Sequence, residues 1–463
     1  MNTPRRRLIE FLARHARALL PFADAASADL PLSRLLRLSL FQVSVGMAMV
    51  LLLGTLNRVM IVELGVPASL VAIMVALPIL FAPLRALIGF RSDIHQSALG
   101  WKRVPFIWRG SMLQFGGFAI MPFALLVLSG AGQSAAYPAW IGQLAAALAF
   151  LLVGAGIHIV QTIGLALATD LAPQEDQPKV VGLMYVTLLI GMVGSALLFG
   201  HLLEDYSPGR LIQVIQAAAV TTLVLNTIAV WKQEARRPNE PLRPEPAFSE
   251  AWTAFRAGPQ AIRRLAIVAL GTMAFTMEDV LLEPYGGEIL GMSVADTTLL
   301  TATLAGGGLI GFASASQVLG RGGDPFRMAG LGAFIGIPAF IAVIAAAPLM
   351  SPAWFGMGVL LIGVGGGLFS HGTLTATMQS APAGQVGLAL GAWGAAQATA
   401  AGVAVALGGI LRDILTSPVD PAQAYVMVYA LELILLCATI AAMLPLIGWH
   451  RQSLDKKPQR RLT

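Results

Sequence analysis

Two histidines lie deep inside long apolar segments, where an ionisable side chain is costly and is therefore a candidate for function. They are His158 and His371. A neutral imidazole is a common metal ligand, so either side chain could coordinate a metal centre in an apolar environment. If Pro173 and Pro382 are equivalent positions, His371 corresponds to Thr162 and lies one helical turn from the position of His158. Two buried histidines that only hydrogen-bond neighbouring carbonyl groups are the alternative interpretation.

Acidic residues in apolar segments form the second chemical group. Glu278, Asp279 and Glu283 occupy one segment, and Glu432 lies in the last segment without an obvious partner. Asp279 and Glu283 are four residues apart and share a helical face, where like charges repel. Unpaired ionised carboxylates are costly in a low-dielectric region, so these acids need a partner or must hold a proton.

The composition shows what kind of protein must position these residues. Hydrophobic residues make up 56% and charged residues 12% of the 463 positions, and the mean hydropathy is +0.75. A soluble chain would carry about 25% charged residues. Apolar blocks of roughly 20 residues predict membrane-spanning helices, because a helix satisfies its own backbone hydrogen bonds in lipid. The twelve blocks are 38–60, 67–90, 104–129, 138–165, 181–203, 210–231, 264–285, 296–319, 327–349, 354–378, 386–410 and 424–448.

The placement of lysine and arginine predicts the orientation in the membrane. Twenty-five of the 30 basic residues fall on one side of the predicted helices, and only Arg210 and Arg412 fall on the other. Basic residues accumulate on the cytoplasmic side, so both termini are expected in the cytoplasm of an inner-membrane protein. The basic residues are dispersed over several loops, which argues against nucleic-acid binding.

Short repeated sequences predict two related halves of six helices each. Leu-Ile-Gly-Phe, Leu-Gly-Thr, Ala-Pro and Val-Gly-Leu each recur in the second half, in matching order and on equivalent helices. A polar segment rich in proline separates the halves and has the composition of a linker. The expected divisions are a basic N-terminal segment 1–37, a first half 38–231, a linker 232–263, a second half 264–449 and a tail 450–463. Two such halves joined by a cytoplasmic linker are typical of the major facilitator architecture.

Arg58 is the basic residue expected at the depth of the acids in the seventh block. The first and seventh helices face each other across the outer mouth in this architecture. We therefore predict an ion pair between Arg58 and Asp279 or Glu283, with Asn57 and Tyr285 as nearby hydrogen-bond partners, that holds the outer mouth closed. Glu63 is a rival partner, because residues near a helix end often pair locally.

The loop after the second block resembles the signature loop of the major facilitator superfamily. That loop has a glycine, an acid, and then a glycine followed by paired basic residues, and in the superfamily it braces helix movement. The matching residues here have a stretched spacing and are Gly89, Arg91, Asp93, Gly100, Lys102 and Arg103.

Three stretches resemble one branch of that superfamily, the PucC/LhaA family of bacteriochlorophyll-delivery proteins. They cover residues 20–26, 91–105 and 278–287, and the last contains Glu-Pro-Tyr-Gly-Gly at 283–287. This run is the most specific part, since ordinary sugar and drug carriers lack it. The resemblance covers essentially the whole chain.

The resemblance implies an assembly factor for light-harvesting antenna complexes of a purple phototrophic bacterium, located in its inner (intracytoplasmic) membrane. It implies binding or delivery of bacteriochlorophyll to antenna polypeptides, with the reaction-centre core complex and membrane lipids as further expected partners. Bacteriochlorophyll carries a magnesium with an open axial position. His158, His371 and Gln161 are therefore the pigment-binding candidates, and a histidine would contact the pigment magnesium.

Two other functions stay open at this point. One is a proton-coupled secondary transporter of a small solute, with the proton on Glu278, Asp279 or Glu283. The other is a scaffold that binds antenna helices on its outer surface without carrying pigment. We expect no enzymatic activity, because the sequence has no Ser/His/Asp set, cysteine cluster or nucleotide-binding loop.

Overall fold

The computed structural model describes residues 30–78, 88, 92, 100–130, 132–173, 176–235, 260–379, 386–416 and 420–447. Regular structure in these residues is helical throughout, and the all-α class is confirmed. Twelve helices follow the twelve apolar blocks in order. They are α1 Leu32–Glu63, α2 Ala68–Ala76, α3 Val104–Ser129, α4 Ala139–Leu171, α5 Gln177–Leu202, α6 Pro208–Val230, α7 Ala261–Glu288, α8 Val294–Gly320, α9 Pro325–Leu349, α10 Pro352–Gln379, α11 Val386–Thr416 and α12 Pro421–Met443.

Eleven of these helices are long and apolar enough to cross a membrane. The remaining one, α2, corresponds to the predicted block 67–90, most of whose second half lies outside the described residues. The chain is therefore a multi-pass membrane protein. Its lipid-compatible surface is visible in large exposed apolar side chains such as Phe123, Phe334 and Leu144.

The chain divides into two compact units by packing. One consists of Met1–Leu51 and Pro83–Leu242, and the other of Leu52–Ala82 and Arg243–Thr463. This grouping differs from the expected halves at residues 52–82, which belong to the second unit. The described residues of this segment make polar contacts with α7, α8 and α11. One such contact runs from the Ser69 backbone N–H to the Asp413 carboxylate, at 2.6 Å. The sequence-based domain boundaries otherwise stay a prediction.

Helices α1 and α7 depart from regular α-helix. The C-terminal part of α1 has π-helical stretches at Val50–Leu56 and Val59–Glu63. Helix α7 is interrupted after Thr276 by a 3₁₀ turn at Glu278–Val280 and resumes at Leu282. Both irregular forms are common at functional sites, and from Leu52 onward they lie in the same unit.

Candidate functional site

Pro284 accounts for the interruption of α7 and for the position of Asn57. Proline has no backbone N–H, so the carbonyl group of Val280, four residues earlier, loses its helical partner. The Asn57 side-chain amide donates to this carbonyl oxygen at 2.9 Å. Asn57 is fully buried, and a buried carbonyl without a donor is costly. The broken helix is thus completed by a side chain from α1.

Glu283 is buried in the same place and turns towards α8. Its carboxylate accepts a hydrogen bond from the Thr301 hydroxyl, and α1 approaches it so closely at Gly54 that an added methyl carbon there would lie 2.5 Å from Glu283 Oε1. Next to it, the hydroxyl groups of Thr55 and Thr298 are 3.2 Å apart. The Glu283 carboxylate is therefore surrounded by hydroxyl groups of α1 and α8 and by the backbone of α1 at Gly54.

Arg58 pairs with Glu63, so the primary prediction of an ion pair with Asp279 or Glu283 is wrong. The Arg58 Nη1–Glu63 Oε1 distance is 2.5 Å, and Nη2 donates to the Met292 carbonyl oxygen at 3.2 Å. The π-helical backbone explains the choice, because its i to i+5 bonding brings residues five apart onto one face. The positive charge of Arg58 still interacts electrostatically with the Glu283 carboxylate. The structure therefore does not support the expectation that an ion pair between Arg58 and Asp279 or Glu283 holds the outer mouth closed.

The remaining residues of the Glu-Pro-Tyr-Gly-Gly run also have physical roles. The Tyr285 hydroxyl donates to the Val343 carbonyl oxygen at 3.3 Å, so the prediction that it bonds in the network of Arg58 is wrong. An added methyl carbon at Gly287 would lie 3.2 Å from the Arg58 guanidinium. Any residue larger than glycine would therefore displace the Arg58 side chain. We call residues 283–287 with Asn57 and Arg58 the broken-helix site.

Glu278 has a partner that the sequence did not indicate. Its carboxyl group interacts with that of Glu432 in α12, both residues are fully buried, and none of their four carboxyl oxygens has a hydrogen-bond partner among the described residues. Asp279, the next residue, is half-buried and lies in the field of both. No sequence signal links two acids so far apart in the chain.

The two histidines lie where the sequence placed them along their helices. His158 in α4 and His371 in α10 are half-buried, as is Gln161. The His371 ring meets that of Phe312 edge-on, with centroids 4.2 Å apart. The histidines belong to different units, so their pairing on one face stays a prediction.

The described residues contain no group of three or more His, Cys, Asp or Glu side chains that could hold a metal ion. The role of His158, His371 and Gln161 in pigment binding stays a prediction.

The described part of the signature loop is anchored by acids that sequence reasoning missed. The Glu234 carboxylate accepts hydrogen bonds from the backbone N–H groups of Lys102, Arg103 and Val104 at 2.7–3.1 Å, which caps the N-terminus of α3. The Arg103 guanidinium pairs with Asp170 at 2.9 Å. Gly100 lies before it with a left-handed φ of 76°, whereas Gly89, Arg91 and Asp93 lie outside the described residues.

A second feature missed by the sequence is a neutral polar network inside the first unit. Asn226 of α6 accepts from Ser44 at 2.6 Å and donates to Ser111 at 2.9 Å and to Gln114 at 3.3 Å. All four residues are buried. Uncharged side chains on three helices give no pattern in the sequence, although such bonds are a common means of joining helices in lipid.

The fold is similar to that of membrane transporters. A crystal structure of a bacterial homologue of the iron transporter ferroportin matches with a TM-score of 0.65 and 16% identity, covering 89% of this chain and 97% of that one. A POT family transporter, PepTSo, matches with a TM-score of 0.63 and 13% identity over 92% and 99% of the two chains. These likenesses confirm the major facilitator fold.

Relatives with much higher identity place the sequence more narrowly. Protein PucC of Rhodovulum sulfidophilum is 64% identical over 89% of this chain and 92% of its own, and Protein PucC of Cereibacter sphaeroides is 60% identical over 95% and 98%. The bacteriochlorophyll synthase 44.5 kDa chain of Rhodobacter capsulatus is 29% identical over 89% and 94%. The family model described as PUCC protein matches residues 55–450. The chain therefore belongs to the PUCC protein family.

Proposed function

We propose that this protein is an assembly factor for bacterial light-harvesting antenna complexes that binds bacteriochlorophyll or delivers it to antenna polypeptides. The observation that carries the proposal is family membership across residues 55–450. A relative named as a bacteriochlorophyll synthase chain also supports a photosynthesis-related role. The reaction-centre core complex and membrane lipids are further proposed partners.

The proposed location is the bacterial inner (intracytoplasmic) membrane with both termini in the cytoplasm. The asymmetry of lysine and arginine supports this orientation, because basic residues are retained on the cytoplasmic side during insertion. The described helices support many crossings, since eleven of them are long and apolar enough to span a membrane.

A proton-coupled secondary transporter is the second candidate function, and the likeness to transporter structures favours it. Fold alone does not decide function, because one architecture carries many activities. The two candidates differ in what the purified protein should hold: a pigment in the first case and a small solute in the second.

The absorption spectrum of the protein purified from a pigment-producing host tests the proposal. We expect bacteriochlorophyll bands that elute with the protein in size-exclusion chromatography, because the proposed function requires a pigment complex. A family-unrelated transporter of the same fold, purified in the same way from the same host, is the control for pigment carried by detergent micelles. Pigment at the level of that control would contradict the proposal.

A further inference from the structure

Helices α7 and α12 pack side by side in antiparallel order. Near one end, Phe275 and Leu436 both lie against Gly336 of α9, within 3.0 Å of the position of an added methyl carbon. Towards the other end, the Tyr285 ring contacts that of Tyr429 with centroids 5.6 Å apart. The register of these contacts brings Glu278 and Glu432 opposite each other between the two ends.

The carboxyl groups of Glu278 and Glu432 face each other, and all four of their oxygen atoms are buried without a hydrogen-bond partner among the described residues. An ionised carboxylate can only accept hydrogen bonds, so these two acids can bond to each other only when one of them carries a proton. Both side chains are fully buried. Two ionised carboxylates that face each other in a low-dielectric region would repel strongly, and one proton bound between them would remove that repulsion.

Among the described residues, no positively charged side chain neutralises Glu278 or Glu432. In the part of the chain that the structure describes, neither carboxylate has an ion pair with a lysine, arginine or histidine. The adjacent Asp279 has the same sign of charge and acts on Glu432. Arg412, the basic residue near the aromatic end of α12, is engaged by Glu288 at 2.6 Å and by Asp413 at 3.0 Å.

Tyr429 places a further buried polar group without a partner beside the two carboxyl groups. Its side chain is fully buried, and its hydroxyl oxygen has no hydrogen-bond partner among the described residues. It lies one turn before Glu432 on α12, in the field of both carboxyl groups and of Tyr425 and Tyr285. A hydroxyl in this position can donate to a carboxylate from which the shared proton has departed.

We propose that Glu278 and Glu432 form a proton-binding site that joins α12 to the interruption in α7. One proton from water binds between the two carboxyl groups, and its release to water leaves two like charges that push the helices apart. Glu278 opens the 3₁₀ turn where α7 is interrupted, so the site lies where the backbone of α7 is least regular. The inference goes beyond the proposed function and holds whether or not pigment is bound.

Infrared spectroscopy of the purified full-length protein tests this site through the carbonyl-stretch band of protonated carboxylic acids. We expect the wild-type protein to show a component of that band that shifts in D₂O and is lost in the double variant Glu278→Gln/Glu432→Gln. Each single glutamine variant should fold, because an amide N–H can donate to the remaining carboxyl group. Glu204→Gln is the matched control, since the Glu204 side chain is 75% exposed, and it should leave the band unchanged.

Two results would overturn the proposal. One is an unchanged band in a double variant whose helical content and elution volume match those of the wild type. The other is a wild-type band that disappears when sodium chloride replaces choline chloride at constant pH, because the pair would then hold a metal cation. Pigment content plays no part in either result, so failure here is distinct from failure of the proposed function.

Discussion

Replacement of both His158 and His371 by phenylalanine is expected to remove most of the bacteriochlorophyll that the proposed function predicts to co-purify with the protein. Each histidine lies within an apolar helix and is half-buried, so its imidazole can supply the axial donor that the pigment magnesium lacks. Phenylalanine keeps a flat ring of similar size but has no donor atom. The measurement is pigment absorbance per mole of protein after size-exclusion chromatography.

His201→Phe is the matched control for these variants. His201 lies near the end of α5 with a side chain that is 80% exposed, so its replacement should leave the pigment content unchanged. Pigment content equal to that of the wild type in a folded double variant would leave His158 and His371 with a structural role only. The two single variants then show whether one histidine carries the effect.

Replacement of Arg58 by methionine is expected to lower the free energy of unfolding by about 3 kcal/mol, the low end for a broken buried ion pair. The low end applies because the Arg58 side chain is 5% exposed but that of Glu63 is 38% exposed. The variant also removes the donor to the Met292 carbonyl oxygen and the positive field that acts on Glu283. Thermal unfolding in one detergent measures the loss.

The ion-pair partner of Arg58 determines which second substitution restores stability to the Arg58→Met variant. Arg58→Met/Glu63→Gln should be more stable than Arg58→Met alone, whereas Arg58→Met/Glu283→Gln should show less relief. Arg109→Met is the control, because Arg109 is exposed on α3 and its removal should be nearly neutral. Relief by Glu283→Gln and none by Glu63→Gln would contradict the pairing seen in the structure.

The helices were predictable because their signal is local. Each apolar block is long enough to span a bilayer by itself, and neither Glu278 nor His158 changes that property of its block. The interruption of α7 was also encoded locally, by the missing N–H of Pro284. Its completion by Asn57 was not, because that bond depends on how two distant helices meet.

The charged partners of Arg58 and Glu278 were not predictable either, because they depend on local backbone geometry and on how distant helices meet. Depth along a helix placed Arg58 level with Glu283, but the π-helical turn of α1 offers Glu63 on the same face, and periodicity cannot reveal such a turn. Glu278 and Glu432 also needed the antiparallel register of α7 and α12. Glu234, which caps α3, sits just beyond α6 and looks like an ordinary acid of a polar loop in the sequence.

Antenna assembly in a strain that lacks the gene for this protein tests the central claim most directly. The measurement is the amount of each light-harvesting complex in the membrane, together with total bacteriochlorophyll synthesis, with and without the gene restored. The proposed function predicts that antenna levels fall, that pigment synthesis remains intact, and that the restored gene returns the complexes. Normal antenna levels in the deletion strain would contradict it.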